Sequence, residues 1–310
     1  MNKYPSLKQL HYLVTLSETR HFGEAAKLCF VSQSTLSAGI QNLEELIGAQ
    51  LIERDNKTLV LTGMGEEVVR RSREILARSQ DLMELTQVKS DPMHGKVRLG
   101  CIPTIAPFLL CDVVKQVNQR YPNLDLLLRE DTTANLLTAL KHGEMDILIL
   151  ALPMDIGTMT RRIVGRDPFK MVMSGKQAAQ LTLPVDYESL PDESVFLLER
   201  EHCLTDHAVS ACQMTASQKI NPFMATSLHT LVQMVANGNG VTFIPQMAID
   251  HGLIANLDVH LETPPGKAAY RDIGMVWRPS SSRLETFNNL ADLVTGLLSP
   301  TGKDILTENQ

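Results

Sequence analysis

The 310-residue sequence lacks any apolar run long enough to cross a membrane, and its first residues do not form a secretory signal. A membrane-spanning helix needs about 20 predominantly apolar residues. The sequence therefore excludes an integral helical membrane protein, and we expect a cytoplasmic chain. With 44% hydrophobic residues, a chain of this length can bury two cores or more.

The sequence also lacks an excess of positive charge, a phosphate-binding loop and a recognisable metal motif. Its net charge is −6 at pH 7. The segment Gly238-Asn239-Gly240 is not followed by the Lys-Ser/Thr of a phosphate loop. The five cysteines form no C-x-x-C pair, and their spacing to histidines matches no common zinc pattern. We therefore expect no cofactor and no metal.

The segment 21–37 has the pattern of two short helices joined by a tight turn. The small residues Ala25 and Ala26 allow the helices to approach closely, and Val31 and Leu36 supply apolar contacts between them. This pattern predicts a helix-turn-helix. The alternative is an ordinary helical hairpin in a core.

The second of these helices is predicted over 33–46, with Ser32 as its N-cap. Its first turn presents short hydrogen-bonding side chains to solvent. Such a turn can enter the major groove of DNA and read base edges. The predicted base-reading residues are Ser32, Gln33, Ser34, Thr35 and Ser37.

A β-hairpin is predicted next, over 51–61, because its apolar residues alternate around Asp55-Asn56. Arg54 and Lys57 lie near the predicted tip, where their charges can reach phosphates. The alternative is that they are two ordinary surface cations.

Two helices flank this region. Ser6 and Gln9 are typical of a capping box that opens the first of them. Thr62 predicts the cap of a long helix over 64–88. Its apolar pairs recur every seven residues, which predicts a seam for another helix and therefore dimerisation. The pairs are Val68/Val69, Ile75/Leu76 and Leu82/Met83.

The first ninety residues resemble the winged helix-turn-helix and linker helix of the LysR-type transcriptional regulators. The residues that carry the resemblance are Ala25-Ala26, 31–37, Ile40, Leu43-Glu44, Leu46, Gly48, 51–54, Leu61-Thr62 and Gly65. The chain departs from the family pattern in two places. Ser34 stands where the family often has proline, and Ala38, Gln41 and Asn42 stand where basic residues are common.

Charge balance bears on how such a domain would bind DNA. Residues 1–90 contain 11 Lys+Arg and 11 Asp+Glu, so their net charge is zero. Contacts to phosphates supply much of nonspecific DNA affinity. We therefore expect weak binding by a single domain and stronger binding by a dimer or higher assembly.

Beyond a polar stretch at 89–95, predicted strands alternate with predicted helices, which indicates parallel α/β sheets. Strands are predicted at 97–102, 124–128, 147–150, 241–244 and 273–277, and helices at 104–120, 136–141, 227–237 and 284–293. The resemblance implies a two-lobed, periplasmic-binding-protein-like effector domain here, with the chain crossing between lobes near 165 and 268.

These patterns predict five regions. They are a DNA-binding domain at 1–62, a linker and dimerisation helix at 63–88, a hinge at 89–95, an effector domain at 96–300 and a flexible tail at 301–310. Within the effector domain, lobe I is predicted at about 96–165 and 269–300, and lobe II at about 166–268.

The cysteines fall into two groups. Cys29, Cys101 and Cys111 are expected to be small buried core residues. Cys203 and Cys212 differ because of their setting.

A helix capped by Thr205 or Asp206 and continuing through Cys212 would place Cys203 beside its N-terminus and next to His202. Both influences favour the thiolate. Along such a helix the two thiols would be on the order of 13 Å apart, whereas a disulfide needs Cα atoms within about 7 Å. A bridge would therefore require the helix to unwind or shift. The spacing alone leaves open that these are two unrelated buried cysteines.

The segment around these cysteines is also similar to the effector domain of OxyR regulators, the hydrogen-peroxide sensors within the LysR family. The matching residues are 202–204, Asp206, Ala208, Cys212, 225–228, 230–231, 102–104, 148–152 and 273–279. The resemblance implies that Cys203 is the peroxidatic thiol and Cys212 the resolving thiol. It implies a peroxide pocket formed by Thr104, Thr133, His202, Asp206 and Arg271. Thr205 departs from the basic residue usual at its position, and Ala211 and Gln213 depart from the more aromatic surroundings of the resolving cysteine.

Each of these residues also has a structural interpretation. Thr104 and Thr133 could each cap the helix that follows. His202 could be an exposed loop histidine, and Arg271 could face solvent. His202, Cys203, His207 and Cys212 could together ligate a metal, although their spacing matches no common zinc pattern.

The resulting hypothesis is a homo-oligomeric regulator, not an enzyme, that activates oxidative-stress genes when peroxide oxidises Cys203. Its expected partners are promoter DNA, further copies of itself as a dimer or tetramer, and RNA polymerase. One alternative is a LysR-type regulator that binds a small metabolite between the lobes. A second alternative is a thiol peroxidase, for which a DNA-reading domain has no purpose.

Overall fold

The computed structural model describes residues 4–53, 59–88, 91–181, 185, 190–199, 203–211, 217–238, 240–264 and 269–299. The chain divides into two compact units. The N-terminal unit comprises Met1–Ser90, Thr138–Glu144 and Ser280–Ser282. The C-terminal unit comprises Asp91–Leu137, Met145–Pro279 and Arg283–Gln310.

The described residues between 4 and 88 form four helices and a two-stranded antiparallel hairpin in the N-terminal unit. In chain order they are α1 Leu7–Thr19, α2 Phe22–Leu28, α3 Gln33–Ile47, β1 Ile52–Glu53, β2 Val60–Leu61 and α4 Gly63–Val88. The predicted capping box is confirmed, because the Ser6 side chain accepts from the Gln9 N–H and the Gln9 side chain accepts from the Ser6 N–H. Ser32 caps α3 as predicted, by accepting from the Thr35 N–H.

The core of this unit lies where α1, α2 and α3 meet. Ala25 is fully buried, Ala26 is 3% exposed and Leu36 is fully buried, so the predicted close approach of α2 and α3 is confirmed. The hairpin is also confirmed, since Ile52 pairs with Leu61. Its predicted tip, Asp55-Asn56, lies outside the described residues.

The long helix α4 begins as the sequence predicts. The Thr62 hydroxyl accepts from the Gly65 N–H at 2.9 Å, which caps the helix. Val69 is buried in the core of the N-terminal unit, and Val68 and Leu76 pack against that core. Ile75, Leu82 and Met83 are exposed. The seam predicted from all three apolar pairs is therefore wrong in part, because the first pair packs within the unit itself.

The close packing of α4 on Leu51, the residue before β1, gives a stability prediction. A Cβ on Gly65 would lie 2.1 Å from the Leu51 carbonyl oxygen, which is backbone and cannot rotate away, whereas a Cβ on Gly63 would meet nothing within 4 Å. We expect Gly65→Ala to destabilise the N-terminal unit by about 2 kcal/mol or more, lowering its melting temperature by on the order of 10 °C. Gly63→Ala, two residues earlier, is the control and should melt within a few degrees of wild type. Equal melting temperatures for the two variants would contradict this packing.

The C-terminal unit is built on a mixed sheet. Its strands are β3 Gly95–Cys101, β4 Leu124–Glu130, β5 Ile147–Leu152, β6 Thr160–Ser174, β7 Val195–Leu198, β8 Ile220–Ala225, β9 Val241–Pro245, β10 Val259–Glu262 and β11 Tyr270–Trp277. Its described helices are α5 Ala106–Arg120, α6 Thr133–Lys141 (which ends in the N-terminal unit), α7 Gly175–Ala178, α8 Cys203–Ala211, α9 Leu228–Ala236, α10 Gln246–Asp250 and α11 Leu284–Leu298.

The strand order is β4-β3-β5-β11-β6-β9-β7-β8, and β10 pairs with β6. Strands β3, β4 and β5 pair in parallel, as do β7, β8 and β9. The prediction of parallel sheets is wrong for the centre of the sheet, because β6 and β11 pair antiparallel with each of their neighbours.

Strand β6 joins the two halves of this sheet. Its residues 160–168 pair with β11, and its residues 169–173 pair with β9. The predicted lobe crossing near 165 therefore lies inside a continuous strand. The second predicted crossing, near 268, lies outside the described residues.

Among the described residues, no helix is both long enough and apolar enough to span a membrane.

Candidate functional site

The first candidate site is the exposed first turn of α3. Ser32, Gln33, Ser34 and Thr35 are exposed, and Ser37 is half-buried. The Ser32 hydroxyl is already engaged, since it lies 2.7 Å from the Thr35 hydroxyl and 2.9 Å from the Ser34 hydroxyl in addition to capping the helix. Ser32 therefore holds the turn together, while the Gln33 side chain is exposed. Arg54 and Lys57, the predicted phosphate contacts, lie outside the described residues.

Two arginines of α4 are neutralised within the helix. Arg70 and Arg71 each lie 2.6 Å from a Glu67 carboxylate oxygen. Glu67 accepts hydrogen bonds from both arginines, and these bonds, chiefly those from Arg70, lower the pKa of Glu67 to about 2. Arg70 also lies 2.8 Å from a Glu74 carboxylate oxygen. The two arginines and two glutamates form a surface ion-pair network without net charge, so they do not form a basic patch for phosphates.

The second candidate site is a buried polar cluster in the C-terminal unit, here called the Arg271 cluster: Arg271, Asp167 and Thr104. All three residues are at most 3% exposed. Arg271 Nη1 donates to Thr104 Oγ1 at 2.8 Å and Nη2 donates to the Thr104 carbonyl oxygen at 2.9 Å. Its Nε and Nη2 donate to Asp167 Oδ2 at 3.0 and 2.9 Å.

Three segments of the fold create this cluster. Asp167 lies on β6 and Arg271 on β11, directly opposite in the antiparallel register. Thr104 lies in the turn between β3 and α5. The Met247 N–H, at the start of α10, donates to the other Asp167 oxygen at 2.9 Å. Burial raises the pKa of Asp167, and the Arg271 guanidinium and the Met247 N–H oppose that rise.

Two sequence interpretations are wrong here. Arg271 does not face solvent, because it is fully buried. Thr104 does not cap the next helix, because its hydroxyl accepts from Arg271 and Ile105 precedes α5 without a side-chain cap. The structure thus brings together two of the predicted pocket residues, Thr104 and Arg271.

The remaining predicted pocket residues are more scattered. Thr133 is buried at the start of α6, and the helix-capping hydroxyl is that of its neighbour Thr132, which accepts from the Asn135 N–H at 3.5 Å. Asp206 is exposed on α8. His202 and Cys212 lie outside the described residues.

Helix α8 carries the segment with the predicted reactive thiol. It begins at Cys203, whereas the sequence predicted that Thr205 or Asp206 would precede it as a cap. Thr205 is buried, and its hydroxyl donates to the Leu198 carbonyl at 2.7 Å, so it ties α8 to the end of β7. Cys203 therefore occupies the first turn of the helix.

The sequence analysis considered His207 only as a possible metal ligand. This residue is 8% exposed, and its Nε2 lies 2.8 Å from the Pro153 carbonyl, so Nε2 carries the proton. Its buried Nδ1 has no hydrogen-bond partner within the described part of the chain. Burial lowers the pKa of His207, and the nearby Arg271 charge lowers it further. The buried imidazole therefore favours its neutral form, with the proton on Nε2.

The other cysteines differ in exposure. Cys101 is fully buried on β3, and burial raises the pKa of its thiol, which keeps the thiol protonated and unreactive. Cys29 is half-buried. Cys111 is exposed on α5, so the expectation that it fills a core is wrong. Within the described ranges, no group of three or more His, Cys, Asp or Glu residues could hold a metal ion.

Comparison with known families explains this two-unit arrangement. Residues 7–66 match the model of the bacterial regulatory helix-turn-helix proteins of the lysR family, and residues 90–299 match the LysR substrate binding domain. The chain belongs to the LysR family. It is therefore a LysR-type transcriptional regulator, and the predicted winged helix-turn-helix followed by an α/β effector domain is confirmed.

Individual LysR-family relatives refine this picture. The HTH-type transcriptional regulator EstR of Acinetobacter baylyi is 39% identical over 297 residues, covering 95% of this chain and 97% of the relative. A hydrogen peroxide-inducible genes activator of Dickeya chrysanthemi is 33% identical over 291 residues, covering 93% and 94%. The reduced form of the regulatory domain of OxyR2 from Vibrio vulnificus is 69% identical with a TM-score of 0.65, covering 66% of this chain and 97% of that domain. The chain is thus a LysR-type regulator related to the OxyR peroxide sensors.

Proposed function

We propose that this LysR-type regulator senses hydrogen peroxide through Cys203 and Cys212. The Cys203 thiolate attacks one peroxide oxygen, which breaks the O–O bond, forms a sulfenic acid and releases hydroxide that is protonated to water. The Cys212 thiol then attacks the sulfenic sulfur and displaces a second water, which closes the disulfide.

The observation that carries the proposal is the continuity of α8. This helix runs unbroken from Cys203 to Ala211, so the Cα atoms at its ends are about 12 Å apart. Moving one residue beyond Ala211 changes the Cα–Cα distance from Cys203 by at most about 3.8 Å. A disulfide needs Cα atoms within about 7 Å. Closing the bridge therefore requires α8 to unwind, and oxidation becomes a conformational event.

The surroundings of α8 support a reactive thiol. The helix N-terminus favours negative charge on Cys203. His207 lies one turn further along α8, and the Arg271 guanidinium, which is paired with Asp167, is close enough to lower the pKa of that histidine. The proposed peroxide pocket keeps the predicted residues Thr104, Thr133, His202, Asp206 and Arg271, and the Thr104–Arg271 hydrogen bond supports two of them.

On the DNA side, the exposed turn of α3 supports a base-reading role, with Arg54 and Lys57 as proposed phosphate contacts. The exposed apolar residues Ile75, Leu82 and Met83 on α4 support self-association into a dimer or tetramer. The proposed partners are promoter DNA, further copies of this chain and RNA polymerase, in the cytoplasm. The proposed outcome of oxidation is activation of oxidative-stress genes.

A footprinting experiment tests this function. The full-length protein is bound to its own promoter region and treated with micromolar peroxide and then with dithiothreitol. We expect a footprint that changes with peroxide and returns after reduction. A footprint that is identical in all three conditions would refute peroxide sensing while leaving DNA binding established.

A second candidate is a regulator that binds a small metabolite between the lobes. The 39% identity to EstR favours it, because that regulator is not named for peroxide. In this case a Cys203→Ser variant would still respond to inducer, and peroxide would leave the footprint unchanged.

A further inference from the structure

The turn between α2 and α3 places an aromatic residue where glycine is preferred. The Val31 N–H donates to the Ala26 carbonyl and the Phe30 N–H donates to the Lys27 carbonyl. These two bonds form a Schellman motif, in which the residue after the C-cap adopts a left-handed conformation. That residue is Phe30, with φ of +55°. A side chain is disfavoured in this region, and glycine or asparagine is the usual choice.

Among the described residues, no packing contact compensates for this choice. Phe30 is 95% exposed, the highest value for a large apolar side chain among the described residues. The hydrophobic contact that usually accompanies a Schellman motif is made by its neighbour Val31, which packs against the core. Phe30 therefore combines an unfavourable backbone with a ring that buries no surface. A partner that buries the ring would supply the contact that these residues do not.

The position of Phe30 indicates which partner. It lies two residues before Ser32, the N-cap of α3, so a molecule that contacts the exposed first turn of α3 also meets this ring. Lys27 is exposed on the preceding turn and adds a positive charge. An aromatic ring flanked by a cation and by short hydroxyl side chains fits the edge of a DNA groove. There a phenyl ring can contact the C5-methyl group of thymine while the cation approaches a phosphate.

We propose that Phe30 is a DNA-contacting residue that reads a thymine methyl group beside the bases contacted by α3. This inference rests on the DNA-reading role proposed for α3. The left-handed backbone aims the ring outward, so the strain of the turn serves binding. An apolar contact of this kind adds sequence preference without adding a phosphate contact.

The test uses the full-length protein and a duplex enriched by the wild-type protein from a randomised pool. We expect Phe30→Asn to weaken binding about tenfold, because the ring is lost, with an unchanged slope of affinity against salt concentration. Its melting temperature should not fall, since asparagine tolerates the left-handed backbone. Phe223→Asn, an exposed phenylalanine on β8 in the other unit, is the matched control and should bind DNA as wild type does.

Replacing thymines of the duplex one at a time by uracil locates the contact. One replacement should weaken wild-type binding about fourfold, the value of one buried methyl group, and should not affect Phe30→Asn. If Phe30→Asn binds the duplex as tightly as wild type, the inference is wrong. Loss of transcription with intact DNA affinity would assign the ring to a protein partner and would equally overturn it. Failure of the wild-type protein to enrich any duplex would instead refute the DNA-reading role of α3.

Discussion

Arg271→Met should lower the melting temperature of the C-terminal unit by on the order of 10 °C. The substitution removes a fully buried guanidinium and leaves the Asp167 carboxylate, 2% exposed, without its charged partner. Breaking a buried ion pair from one side costs about 3–5 kcal/mol, and each kcal/mol is worth about 2–4 °C in a domain of this size. Thermal unfolding followed by circular dichroism measures the effect.

The loss of stability caused by Arg271→Met should increase as pH rises. Burial already raises the pKa of Asp167, and removing Arg271 raises it further. A carboxyl whose pKa is raised by folding contributes stability at low pH and loses it as pH rises through that pKa. The Arg271→Met deficit should therefore be smaller at pH 5 than at pH 8. Adding Asp167→Asn, which removes the unpaired charge, should restore part of the lost stability.

Arg129→Met is the matched control for this prediction. Arg129 pairs with Asp131 at 2.7 Å on the surface, and its side chain is 42% exposed. An exposed pair contributes about 0–1 kcal/mol, so this variant should melt close to wild type. Equal losses in the two arginine variants would contradict the account of the Arg271 cluster.

Cys203→Ser should abolish the response to peroxide. A hydroxyl does not ionise near neutral pH and does not form a sulfenic acid, so neither oxidation nor the footprint change should occur. Cys212→Ser should still consume one equivalent of peroxide, but the sulfenic acid should persist and react with a dimedone probe. Stopped-flow peroxide consumption and the footprint together measure both variants.

Cys111→Ser is the control for the cysteine series. Cys111 is exposed on α5, so it would react first if accessibility alone determined sensitivity. We expect this variant to respond to peroxide as wild type does. A wild-type response in Cys203→Ser, or its loss in Cys111→Ser, would refute the assignment of the peroxidatic thiol.

Local features of this fold could be predicted from the sequence because their causes are local. Ser6, Ser32 and Thr62 cap helices with side chains that bond to backbone only three residues away. The helical periodicity of α3 and α11 likewise reflects one buried face. These features can be predicted without knowing which residues pack against them across the core.

The sequence analysis predicted no strand at β6, β7, β8 or β10, and two of these four strands, β6 and β8, contain a proline. Pro168 lies inside β6 and Pro222 lies inside β8, and proline in a sequence ordinarily argues against an interior strand. Pro168 is tolerated where β6 passes from pairing with β11 to pairing with β9. Because β6 was not predicted, the antiparallel pairing at the centre of the sheet was not predicted either.

The candidate site was predicted only in part. The resemblance identified Thr104 and Arg271, but these residues are 167 positions apart and no local pattern shows that they touch. Asp167 carried no signal at all, because its role exists only once β6 lies against β11. His207 could have been recognised from its position one helical turn after Cys203, but its burial and its carbonyl partner depend on the end of β5.

Peptide mapping by mass spectrometry under non-reducing conditions tests the central claim most directly. Full-length protein is treated with stoichiometric peroxide, and the sulfur linkages are identified after proteolysis. We predict a Cys203–Cys212 linkage that is absent from untreated protein and is accompanied by faster amide exchange along α8. Oxidised protein without that linkage, or a linkage formed while α8 keeps its protection from exchange, would contradict the account.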